Sequence, residues 1–175
     1  MSIVRYAAIV GLTSILAACH TTPVADVRGH LPDLRFHLTN DDGNMIDESG
    51  FRGEPTMVYF GYSGCGNQCP LTLARLARIA SVVRFRVAFV SVDPLDRPAV
   101  LHAFLGNFAP LDVHGLSGSR NAIADLARRY RAAAEVPGHA TAIYLFDGHG
   151  RARMLISPDA SDADLINAVR EVGNA

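Results

Sequence analysis

Met57-Val58-Tyr59-Phe60-Gly61-Tyr62-Ser63-Gly64-Cys65-Gly66-Asn67-Gln68-Cys69-Pro70 passes from an apolar run to a helical pattern through a cysteine-bearing loop. The opening Met57-Val58-Tyr59-Phe60 is a short continuous apolar run, as in a strand covered on both faces. Gly61, Gly64 and Gly66 leave the following loop open. From Leu71 the pattern L-x-L-x-x-L-x-x-I-A predicts an amphipathic helix reaching about Ser81. Pro70 is tolerated at its start, because the N–H groups of a first turn lack intrahelical partners. A junction of strand, loop and helix is where α/β sheets place ligands, so this stretch is also the candidate site.

Outward from it, the pattern keeps alternating. Phe85 to Val92 reads as a second buried strand, and Pro98 to Phe108 as a helix with proline near its start. Val113 to Leu116 suits a short strand, and Ser119 caps a helix from about Asn121 to Arg131. Ala142 to Phe146 and Arg151 to Ile156 form a hairpin around Asp147-Gly148-His149-Gly150, and a last helix runs from near Asp162 to Val172. On the N-terminal side, Leu34 to Leu38 alternates as a half-buried strand should, and turns through Asp41-Asp42-Gly43-Asn44 into Met45-Ile46. The order ββ-β-α-β-α-β-α-β-β-α predicts an α/β fold: a central mixed sheet flanked by helices, with an N-terminal β-hairpin.

The bulk numbers bound the possibilities. A chain of 175 residues suits one domain and a sizeable core. Its 16 basic residues, all arginine, face 17 acidic ones for a net charge of −1. No basic face stands out, which excludes nucleic acid as the main partner. Absence of lysine excludes Schiff-base catalysis. The first residues carry one charge, Arg5, and an apolar run from Tyr6 to Ala18, shorter than the roughly 20 residues of a membrane span. Leu16-Ala17-Ala18-Cys19 resembles the lipobox of bacterial lipoproteins. That resemblance implies a signal peptide over 1–18, lipidation of Cys19, a tether over 19–32 and a folded domain over 33–175. It places the chain in the bacterial cell envelope, anchored through Cys19 and facing the periplasm.

With Cys19 taken by lipid, Cys65 and Cys69 remain as thiols. Set i and i+4 across a helix's first turn, their sulfurs lie to one side, where the helix terminus favours anions. Both effects favour thiolate, which is nucleophile and metal ligand alike. Such a pair can close a disulfide or bind a soft metal; the spacing serves either.

Several segments together resemble the SCO/SenC family, thioredoxin-fold copper proteins of cytochrome c oxidase assembly. They are Phe36-His37-Leu38-Thr39-Asn40-Asp41-Asp42-Gly43, the stretch Tyr59 to Pro70, Phe89-Val90-Ser91-Val92-Asp93-Pro94, Gly115-Leu116-Ser117-Gly118, and Gly138-His139-Ala140 leading into Ile143-Tyr144-Leu145-Phe146-Asp147. The likeness covers about residues 32–172 and implies a thioredoxin-like fold. It also implies copper ligands at Cys65, Cys69 and His139. Two thiolates suit Cu(I) and an added imidazole suits Cu(II), whereas structural zinc wants a fourth protein ligand. Asp93 is a candidate for orienting His139 or a loop amide, and equally for a turn or helix cap. His20, His30, His37, His102, His114 and His149 read as solvated or locally bonded. The implied function is a metallochaperone rather than an enzyme, monomeric and membrane-tethered, with the oxidase's copper subunit or another copper client as partner. The alternative is a thiol–disulfide oxidoreductase that uses the same two cysteines. The chain departs from the family pattern in Gly66-Asn67-Gln68, where relatives commonly carry Pro and Asp after the first cysteine, and in the short loop between Tyr130 and His139.

Overall fold

Thr56–Gly61 forms β4, buried along its whole length near the middle of an eight-stranded mixed sheet. The computed structural model describes residues 22–130, 132 and 142–174. In chain order the other strands are β1 (Val24–Asp26), β2 (His37–Asn40), β3 (Met45–Asp47), β5 (Arg86–Ser91), β6 (Val113–Ser117), β7 (Ile143–Phe146) and β8 (Ala152–Ile156). The helices are α1 (Gln68–Ala80), α2 (Pro98–Leu105), α3 (Arg120–Arg129) and α4 (Asp162–Gly173). Across the sheet the strands run β1-β8-β7-β4-β5-β6-β2-β3. β4, β5 and β6 are mutually parallel and the remaining pairings antiparallel.

Alternation along β4 splits the core in two. Met57 and Tyr59 face α1, α2 and α4, packing with Leu73, Leu76, Leu101, Leu105 and Leu165. Val58 and Phe60 face the other way, toward Ile123, Leu126 and Tyr130 of the α3 segment and Leu38 of the hairpin. A strand covered on both faces has no polar positions to spare, and this explains the unbroken apolar run. The helix starts are set by caps: Ser119 Oγ accepts from Ala122 N, and Ser161 and Asp164 satisfy each other's backbone amides in a capping box.

Three local expectations change. The stretch expected to be a tether contains β1, whose Val24 pairs with Ile156 on the sheet edge; three residues are too few for alternation to show. Helix α1 begins at Gln68 rather than Leu71. Its first i→i−4 bond runs from Leu71 N to Asn67 O at 3.0 Å, so Pro70 sits where no N–H was needed. The first hairpin strand begins at His37, leaving Leu34 as a buried anchor ahead of it. Among the described residues no helix is long and apolar enough to cross a membrane. Cys19, and with it the lipobox, lies outside the described residues.

Candidate metal centre

Cys65 and Cys69 are both free thiols, and they occupy unlike positions. Cys69 is the second residue of α1 and is fully buried, packed with Tyr59, Leu73 and Phe89 of the larger core cluster. Cys65 precedes the helix in the loop and is half-buried against the same cluster. Only one of the pair therefore lies in the helix's first turn, where the spacing had placed both. The two sulfurs still come together, because a tight turn folds Cys65 back: its N donates to Tyr62 O at 3.2 Å. Gly66 follows at φ +48°, in the left-handed region that proline cannot enter. The departure from the family's Pro after the first cysteine thus has a backbone reason.

Electrostatics at Cys69 differ from the sequence expectation. Burial pushes its thiol up to about 11, and the adjacent Cys65 sulfur adds to the rise. The Tyr62 backbone and the Tyr59 hydroxyl draw it partly back. Desolvation outweighs the helix terminus here, since a thiolate removed from water loses more than a first turn returns. At neutral pH Cys69 is a thiol, and a metal must displace its proton.

Gly61, the last residue of β4, sits in the wall of this site. A Cβ built on it would lie 2.9 Å from Cys69 Sγ and 2.8 Å from Phe89 Cε2. The sulfur occupies the space that a side chain at 61 would take. Gly61 therefore permits the close approach of helix and strand rather than loosening the loop.

The loop itself is held by Asp96. This carboxylate is 5% exposed and accepts from Ser63 N at 2.8 Å, from Ser63 Oγ, and from Ser91 Oγ at 2.6 Å. It ties the cysteine loop to the end of β5, and among the described residues no arginine reaches it. Asp93 instead builds the turn, accepting from Leu95 N at 2.8 Å, and lines a surface cleft of about 340 Å³. His139, the sequence-predicted third ligand, lies outside the described residues. Only a second Asp three residues after Asp93 hints at the clamp in the sequence. Replacing Asp96 by alanine takes the acceptor from three donors, Ser63 N, Ser63 Oγ and the buried Ser91 Oγ, so we expect a loss of about 1–3 kcal/mol in stability and faster labelling of Cys69 by a thiol reagent. Unaltered denaturation and labelling would remove the clamp.

The other histidines behave as expected where described. His30 Nδ1 meets Arg28 O at 2.9 Å, His114 Nε2 meets Asp112 at 2.9 Å, and His102 is an exposed neighbour of Asp41 and Asp42. Among the described residues no group of three or more His, Cys, Asp or Glu is placed to hold a metal. The described site thus offers two sulfurs, and any third ligand must come from elsewhere.

Known proteins resemble this chain in sequence and fold. "Protein sco1" of Schizosaccharomyces pombe is 26% identical over 77% of this chain and 58% of its own length. "Protein SCO1 homolog 1, mitochondrial" of Arabidopsis thaliana is 32% identical over 71% of this chain and 39% of its own. The chain thus spans about half the length of these curated relatives. Arabidopsis thaliana ScoI, solved with copper bound, superposes with a TM-score of 0.71 at 28% identity, covering 82% of this chain and 99% of that one. The sheet and its flanking helices are accordingly the thioredoxin-like fold of Sco proteins. The profile of the SCO1/SenC family matches residues 28–174, and this chain belongs to that family.

Proposed function

We propose that this protein is a copper chaperone of the cell envelope, taking copper as cargo through Cys65, Cys69 and His139 and passing it to the dinuclear copper site of cytochrome c oxidase. The observation that carries this is the meeting of two free sulfurs at the junction of β4 and α1, one reachable and one buried. Two thiolates in an apolar surround suit a soft monovalent ion, which adds no net charge in excess of theirs. The copper-bound Arabidopsis relative supports the choice of metal. Handover would go by ligand exchange, with client thiolates displacing the accessible Cys65 first and the buried Cys69 last. Lipidation at Cys19, facing the periplasm, would hold the chaperone near a membrane client.

The test is anaerobic titration of the reduced protein with Cu(I), and separately with Cu(II), beside His139→Ala. One equivalent of each should bind. The variant should keep Cu(I) and show an altered Cu(II) EPR spectrum with weaker thiolate-to-copper absorption. An identical Cu(II) spectrum would remove His139 from the ligand set.

A redox reading uses the same asymmetry. Cys65 would attack a client disulfide and buried Cys69 would resolve the mixed disulfide, releasing the client as a dithiol. The contact between the two thiols favours it. Failure to bind copper, together with a reversible Cys65–Cys69 disulfide, would give this reading precedence.

A further inference from the structure

Tyr59 carries the most unusual polar atom of the described structure. The residue is 1% exposed, in the middle of β4, and its Oη is fully buried without a hydrogen-bond partner among the described residues. A buried hydroxyl without a partner forfeits its hydration for nothing in return, so such groups are rare unless they have a use. Its surroundings indicate the use. Tyr59 shares a face of β4 with Gly61, two residues on, and that face meets α1. Its hydroxyl lies beside the Cys69 thiol and the Thr72 side chain, one turn along α1, near enough to act on the charge of the Cys69 sulfur, yet it makes no well-formed hydrogen bond with any described residue. The ring is fixed by packing on Phe89, with centroids 5.8 Å apart. The hydroxyl is thus held next to the sulfur by a rigid strand and a stacked ring.

We infer that Tyr59 Oη is the hydrogen-bond donor kept for the Cys69 sulfur in its anionic, metal-bound form. A neutral thiol is a poor acceptor, and among the described residues the hydroxyl has no other partner. When Cu(I) binds, Cys69 gives its proton to solvent and its sulfur becomes a charged acceptor. The O–H then gains a charge-assisted partner, the stronger class of hydrogen bond. Tyr59 is a positioning residue: it acts on the metal through the Cys69 sulfur, from a place fixed by the strand and by its packing on Phe89. Apart from Cys65 and the Tyr62 backbone, the described walls around this sulfur are apolar: Phe89, Leu73 and the bare Cα of Gly61. The inference rests on the copper reading above and adds a donor to that site.

Tyr59→Phe deletes only the oxygen, so folding is expected to survive. The metal-free variant should melt at or above the parent temperature, because it loses an unsatisfied group. Its Cu(I) affinity, measured against a colorimetric chelator, should fall about tenfold or more. The thiolate-to-copper absorption of the Cu(II) form should move to lower energy as the sulfur becomes more electron-rich. Thr72→Val should leave both quantities at the parent values. Equal Cu(I) affinity and equal absorption in parent and Tyr59→Phe would overturn the inference while leaving the copper reading intact. A Thr72→Val variant as weak as Tyr59→Phe would assign the hydroxyl to Thr72 and overturn it also. Failure of the parent itself to bind Cu(I) would overturn the copper reading, and this inference with it.

Discussion

Replacing Cys65 or Cys69 by serine is expected to abolish stoichiometric Cu(I) binding. A serine hydroxyl is a hard, protonated oxygen at neutral pH and does not substitute for a soft thiolate. The two variants should differ in everything else. Cys69 is fully buried in an apolar cluster, so a hydroxyl there is short of partners and should cost about 1–3 kcal/mol of stability. Cys65 is half-buried in a loop, and its serine variant should stay within about 0.5 kcal/mol of the parent. Chelator competition and chemical denaturation on the metal-free proteins measure the two effects separately. A single serine variant with parental Cu(I) affinity would contradict the proposed site.

Gly61→Ala should damage both the fold and the site through one methyl group. The new Cβ would stand 2.8 and 3.0 Å from the Phe89 ring and 2.9 Å from Cys69 Sγ. Neither neighbour is a free end. Phe89 is fully buried and packs on Tyr59 and Phe104, while Cys69 is fixed in the first turn of α1. Overpacking of this kind costs about 1–3 kcal/mol, and relief must come by moving the sulfur or the helix. We expect a matching drop in denaturation midpoint together with weaker Cu(I) binding. Gly64→Ala is the control: its Cβ would meet only the Tyr62 ring at 3.7 Å, an ordinary contact, so both quantities should hold. Equal behaviour of the two variants would show that Gly61 is not what lets the sulfur approach β4.

Much of the architecture was legible because its signals are local. Strands β4 and β5 carry the unbroken apolar runs Met57–Phe60 and Val87–Val90 of doubly covered strands, and the helices α3 and α4 start where a serine cap can satisfy their first amides. β1 was not legible. Val24-Ala25-Asp26 has no pattern of its own and becomes a strand only because β8 offers it an edge. The start of α1 was read three residues late, since proline at position 70 hides that Gln68 and Cys69 are already helical.

The candidate site divides the same way. The pair of thiols and their place between strand and helix are written in fourteen consecutive residues, for sulfur chemistry needs only the right atoms at a short spacing. What those thiols are is a matter of the packed chain. Asp96 acts on a serine 33 residues away, Gly61 matters for the sulfur that fills its missing side chain, and Tyr59 matters for a hydroxyl left without a partner among the described residues. The spacing argued for two activated sulfurs on a helix terminus, but the fold buries one of them, and burial raises its proton affinity. Residue types and local order carry the family and the pair of cysteines. Desolvation and close approach depend on every element packed around a group, so the state of that group is decided only when the whole chain has folded.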